Sequence, residues 1–369
     1  MVTPKSKNIP DWLEWERDAS ILPLQFFMNP STVGMRRFFG RGWPTTYLFF
    51  SKGIVLWCNP GDMMRSLGRY LIDGFVDGGK LRRMERRLRN DTRLLFSEMN
   101  RVEKLELERL SNDGFLRVLN SFWKVWENWA ITGLAVEPVY MQGEVLLKKM
   151  LEKEEKPEQE LAVLTTCSRD SFSVRQELDL LNIAVKEKAS AKDFAVKSRK
   201  PSFKVRISAH ARKYFWVQNG YSSTAVLTPA HFAQELGLLL KQQDAASAIR
   251  GIRETARRNR AEKAALVSRL RLSSRQKKVV EIVDYFAWFQ DYRKEVILKG
   301  LHCLDVLVCE LSRRSGYAKE DVNWALNTEF SELLAGKTDV RALRQRRRLS
   351  VVIMPANASK PKVVLGKKS

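Results

Sequence analysis

Side chains that hold metals or act as nucleophile–base pairs are scarce in this chain. Its 369 residues include three histidines, His210, His231 and His302, and four cysteines, Cys58, Cys167, Cys303 and Cys309. No two cysteines form a CxxC pair, and Cys303 and Cys309 fall about 240° apart around a helix, so they cannot share an ion. They read as apolar filler. HExxH is absent, and no histidine has the partners that a zinc site or a Ser-His-Asp triad requires. The phosphate-cradling patterns GxxxxGK[ST] and GxGxxG are missing too. No catalytic residue, metal ligand or cofactor is therefore assigned. Long apolar runs are also lacking: none approaches the roughly 20 residues of a membrane span. The opening "MVTPKSKNIPDWLEWERD" has no signal-peptide core. A soluble cytoplasmic protein with no membrane partner is expected.

What is abundant is positive charge. The net charge of +23 favours anionic partners without choosing among them. Between Ser247 and Lys278 eleven Lys or Arg face two acids, Glu254 and Glu262. Arg250, Arg253, Arg257, Arg258 and Arg260 there form a candidate anion-binding surface, one that nucleic acid could use. A second cluster, "LRRMERRLRNDTR", runs from Leu81 to Arg93. A solvated helix face is the plainer reading of both.

The pattern predicts a mainly α fold, a bundle-like set of helices with a small N-terminal antiparallel β element. Residues 1–60 are mixed, with "SILPLQFFMN" and "TTYLFFSKGIVLWCNP" rich in β-branched and aromatic residues and a hairpin turn at Ser51-Lys52-Gly53. Helical periods dominate from residue 61 onward, with 61–150 as a first helical subdomain and single helices expected over 113–152 and 328–346. The acidic stretch 151–165 reads as a linker or loop, 166–348 as a second helical domain, and 349–369 as a basic tail.

Within 274–314, apolar residues recur at Ile282, Phe286, Phe289, Val296, Gly300, Leu304, Val308 and Leu311. Arg293 occupies the missing beat, beside Gln290, Asp291 and Lys294. Either Arg293 pairs with a buried acid, or these four side chains edge a pocket for an anion. In "HARKYFW", His210, Lys213 and Tyr214 share a helix face. His210 reads as structural or as a group in a binding site, Tyr214 as its neighbour. His231 reads as local and exposed, His302 as packed. Trp126, in "FWKVWENWAITG", suits core packing or a platform for a planar ligand.

The order of "SFSVRQELDLLNIAV", "HARKYFWVQNGYSS", "TPAHFAQELGLLL" and the long segment Tyr285 to Leu334 resembles the helical region of PEP-utilising enzymes. Phosphoenolpyruvate synthase, pyruvate phosphate dikinase and the rifampin phosphotransferases share that plan. The resemblance covers roughly Leu161 to Met354. It implies a region lying before a phosphohistidine domain, and "KVVLGKKS" is similar to the start of that domain. Neither the ATP-grasp domain nor the phosphohistidine segment is in this sequence. The resemblance thus implies a non-catalytic ligand-binding or scaffold module for an anionic or planar small molecule. Its alternative is one part of a split phosphotransferase, working with separately encoded ATP-grasp and phosphohistidine proteins. A nucleic-acid-binding protein remains the reading from charge alone.

Overall fold

The computed structural model describes residues 11–366. It is mainly α-helical with one antiparallel sheet, the fold class that the periodicity predicts. Strand β1 (Trp12–Asp18) precedes short helices α1 (Gln25–Asn29) and α2 (Met35–Phe39), then β2 (Thr46–Ser51) and β3 (Ile54–Pro60). Helices α3 (Gly61–Val76), α4 (Gly79–Lys104), α5 (Asn112–Gly133) and α6 (Val136–Met150) follow. Next come α7 (Pro157–Thr165), α8 (Phe172–Glu187), α9 (Phe194–Lys197), α10 (Pro201–Tyr214) and α11 (Pro229–Gln242). The chain continues through α12 (Ala245–Arg269), α13 (Ser274–Ser315), α14 (Lys319–Val322), α15 (Phe330–Leu334) and α16 (Val340–Arg348) to β4 (Leu349–Met354) and β5 (Lys362–Leu365). Among the described residues no helix is long and apolar enough to cross a membrane.

Two compact units emerge. The first holds residues 11–143, Gly220–Ser223 and 300–366; the second holds Glu144–Asn219 and Thr224–Lys299. The stretch 151–165, expected as a linker, lies within the second unit, and the units divide ahead of Glu144. The span 166–348, expected as one domain, is instead divided, because from Gly300 onward the chain packs with the N-terminal segments.

The sheet of the first unit explains that return. Its order is β1-β3-β2-β4-β5. The expected hairpin joins β2 to β3 through Lys52 and Gly53, both left-handed at φ 51° and 90°. Two such residues make the turn whose twist matches the strands. On its other edge β2 pairs with β4, Leu48 opposite Val352. The segment from Leu349, expected as a tail, thus supplies two strands. Its Ser350, Val352 and Met354 face inward by simple alternation.

Three local expectations also change. Ser20 to Asn29, rich in strand-forming residues, is helical beyond Ser20-Ile21, with Ile21, Leu22, Leu24, Phe26, Phe27 and Met28 all buried. An element buried on every side loses the period that marks a helix. Pro157 to Thr165, inside the expected linker, forms α7, started by a proline and by Glu158 and Glu160 in its first turn. The helix expected over 113–152 breaks at Leu134, whose carbonyl accepts from the Trp43 indole N–H at 2.9 Å. That expected over 328–346 is interrupted after α15, near the left-handed Gly336.

The first unit's core is aromatic. Trp126, Trp129, Phe26, Phe115 and Phe122 are fully buried, and Phe26 stacks on Trp126 with ring centroids 3.8 Å apart. The Trp129 N–H donates to Thr92 Oγ1 at 3.0 Å, tying α5 to α4. Helix α3 approaches α6 at Gly68, where an added Cβ would overlap the Pro138 carbonyl oxygen and meet the Gln142 Cβ at 2.7 Å. Gly68→Ala is therefore expected to destabilise by about 1–3 kcal/mol despite the better helix propensity of alanine. Urea unfolding checks this; equal or higher stability would show that α3 and α6 yield freely there.

Candidate ligand-binding cleft

The second unit places α8, α11 and α13 around a cleft of about 480 Å³. Its polar lining includes Gln176, Gln218, His231, Gln234, Glu235 and Lys294, with Phe172, Val217 and Leu238 as apolar wall.

Each helix reaches the cleft through an identifiable local signal. Ser171 caps α8 by accepting from the Val174 N–H at 3.1 Å, while the Phe172 N–H donates to Asp291 Oδ2 at 2.7 Å. Asp291 of α13 thereby holds the start of α8, and burial raises its carboxyl above the usual range against that hydrogen bond. Thr228 caps α11 ahead of Pro229. Asn219 fixes the intervening loop, donating to the Leu298 carbonyl at 3.0 Å and accepting from the Ala225 N–H at 2.9 Å.

A polar chain crosses the cleft wall. The Gln176 amide nitrogen donates to Glu235 Oε1 at 3.3 Å and lies 3.4 Å from Nε2 of His210. An amide N–H facing Nε2 makes that nitrogen an acceptor and the imidazole neutral. His231 Nε2 stands 4.0 Å from Glu235 Oε2, one helical turn away, and 3.4 Å from the Gln218 amide nitrogen. Behind Gln176, His210 is buried between Tyr214 and Phe232, with ring centroids at 4.7 and 4.8 Å. Burial pushes its imidazole down to about 4, only partly opposed by Asp179. The Tyr214 hydroxyl donates to Asp179 at 2.8 Å, and burial with that bond pushes it up to about 12. Lys213 pairs with the same carboxylate at 2.7 Å.

Of the residues singled out by sequence, Lys294 lines the cleft and His210 lies behind its wall. Gln290 is exposed and Arg293 half-buried on α13, neither at the cleft. Near Arg293 along α13, Asp284 bonds Lys263 and Ser168, Asp291 accepts from the Phe172 N–H, and Glu295 pairs with Arg175 and Lys299. Trp126 belongs to the other unit and is fully buried. Sequence reasoning passed over Gln176, Gln218, Gln234 and Glu235 and took His231 for a local surface residue. The four-residue spacing of His231 and Glu235 was the available signal.

The anion-binding surface expected on α12 is exposed at Arg250, Arg253, Arg257, Arg258 and Arg260. Part of its charge serves the fold. Buried Lys263 donates to Asp284 at 2.7 Å and to the Thr166 carbonyl, and Arg269 bridges Glu154 and Glu160, each at 2.6 Å. Arg258 lies 3.9 Å from Glu262, and Arg260 donates to the Ser168 carbonyl at 3.3 Å.

Among the described residues no group of histidine, cysteine or acidic side chains is placed to hold a metal ion. No protein-family model, curated protein or solved structure matches the chain.

Proposed function

We propose that the second unit is a non-catalytic ligand-binding module, of the kind that precedes the phosphohistidine domain in PEP-utilising phosphotransferases. Its ligand is a small polar molecule with an anionic group for Lys294 and hydrogen-bonding groups for Gln176, Gln218 and Gln234. The single observation behind this reading is the cleft of about 480 Å³ that brings three side-chain amides, His231, Glu235 and Lys294 together. That volume suits a small molecule, whereas burying a macromolecular segment needs a longer groove. Lys294 has the chemistry for a phosphate or carboxylate, and Glu235 for an amine or hydroxyl. A cytoplasmic location is part of the proposal, and four free cysteines are compatible with its reducing conditions.

Calorimetric titration of the whole chain with phosphoenolpyruvate, inorganic phosphate, simple dicarboxylates and amino acids tests the reading. At least one is expected to bind, and Lys294→Gln to weaken it by about tenfold or more, the value of one charge-assisted hydrogen bond. ATP is expected to persist unhydrolysed beside the pure chain. If no probe binds, or if Lys294→Gln binds equally well, the cleft is not the receptor; ATP consumption would refute the non-catalytic reading.

A further inference from the structure

Helix α4 carries nine basic side chains against four acidic ones, and part of its charge is arranged in a row. Arg82, Arg86, Arg89 and Arg93 follow one another at steps of four, three and four. At 100° per residue they fall within an arc of about 60°, spread over about 16 Å of helix axis. All four are exposed. Among the described residues no carboxylate lies within ion-pair distance of any of them, although Glu85 stands on one flank. The other arginines of this surface are already engaged: Arg83 and Arg87 lie over the Phe38 ring at 4.9 and 4.6 Å, and Arg87 also pairs with Asp91 at 3.0 Å. Arg41 and Lys80 lie over Tyr70 at 4.5 and 4.8 Å. These ring contacts carry the positive surface from α4 onto α2 and the residues that follow it.

We propose that this row binds the phosphodiester backbone of duplex nucleic acid. Three features of the row favour that partner. Its charge is uncompensated and periodic, about 5–6 Å from one arginine to the next, which complements a polymer of regularly spaced anions. Over about 16 Å a duplex offers on the order of ten phosphates, more than enough for four guanidinium groups, each able to grip phosphate oxygens with a planar fork. Half-buried Phe96 ends the row one three-residue step beyond Arg93, and no apolar side chain stands between the four arginines themselves. The exposed Leu94 points about 120° away from Arg82 around the helix, and Asn90 and Ser97 occupy the nearer flank. Insertion into a bilayer and the desolvated centre of a protein interface both call for apolar side chains at the middle of the face, where this one has only arginines. Contacts of this kind position a backbone without reading its bases.

The test is the salt dependence of binding to a mixed-sequence, 5′-labelled DNA duplex of about 20 base pairs, followed by fluorescence anisotropy with the whole chain. Replacing Arg82, Arg86, Arg89 and Arg93 with glutamine is expected to flatten the plot of log affinity against log salt by about three to four units, close to 0.9 for each phosphate contact. Affinity near 0.1 M salt should fall tenfold or more. The comparison variant makes the same change at Arg250, Arg253, Arg257 and Arg260 of α12, removes the same charge and is expected to leave the slope within one unit of the parent. Circular dichroism checks folding. The half-variants R82Q/R86Q and R89Q/R93Q, each expected to lose about half of the slope change, keep the test decisive if the fourfold variant fails to fold. Equal losses from α4 and α12 would mean that net charge alone is at work and would overturn the proposal. So would an unaltered slope in the α4 variant, or binding by the parent to phosphatidylserine vesicles but not to the duplex.

Discussion

Trp126→Ala is expected to lower the stability of the first unit by about 3–5 kcal/mol, the usual range for emptying a buried tryptophan site. The indole is fully buried, stacked on Phe26 at 3.8 Å and tilted against Phe122 at 5.3 Å. Gly300 of α13 lies against it so closely that a Cβ there would come within 2.8 Å of the indole ring. Neighbours so tightly fitted cannot collapse into the vacated volume, and unrelaxed cavities carry the larger penalties. The expectation is a shifted urea midpoint for the unit that contains α5, with ligand binding in the other unit unchanged. A loss below about 1 kcal/mol would mean that the tryptophan does not anchor this core.

Acidification should weaken the second unit by about 3 kcal/mol through His210 alone. Its imidazole has an ordinary value of 6.5 and is pushed down to about 4 by burial in the fold. Below pH 6.5 the unfolded chain takes up a proton that the folded chain refuses, so stability falls as pH falls. The loss begins near pH 6.5, grows through pH 5 and is complete near pH 4, where the folded imidazole also protonates. A displacement of about 2.5 units at about 1.36 kcal/mol each gives the stated magnitude. The charged groups around the ring are Asp179, which favours the imidazolium, and Lys213, which opposes it; Glu235 lies beyond Gln176. His210→Gln keeps a polar group beside Gln176 and removes the titration, so its stability should vary less between pH 7 and pH 4.5 than that of the parent. Because His302 in the first unit is also lowered by burial, the comparison must be made between parent and variant. Identical pH profiles would show that His210 is not held neutral.

The fold was most legible where helices have one wet face. Helices α3 and α11 end where the apolar period and its punctuation end, at Gly61–Val76 and Pro229–Gln242. It was least legible where burial removes the pattern, as in α1, and where a partner is remote, as in the pairing of β2 with β4. Six alternating residues at Leu349 carry no mark that says which distant strand they join. The three-four spacing at Trp126 fits a core and a platform equally; only burial separates them. In the cleft, Lys294 was found because it crowds a break in an apolar stripe. The glutamines were missed because an uncharged amide has no spacing rule, and their convergence depends on how α8, α11 and α13 cross.

The pairing of Leu48 with Val352 has a consequence for synthesis. Roughly 300 residues separate the partners, and a ribosome adding about 5–20 residues per second takes on the order of 15–60 s to cover them. Throughout that interval the hairpin of β2 and β3 exists with one backbone edge unsatisfied and Phe49 nearby, a template for any other nascent strand. That edge is closed only when Leu349–Met354 emerges to pair with β2.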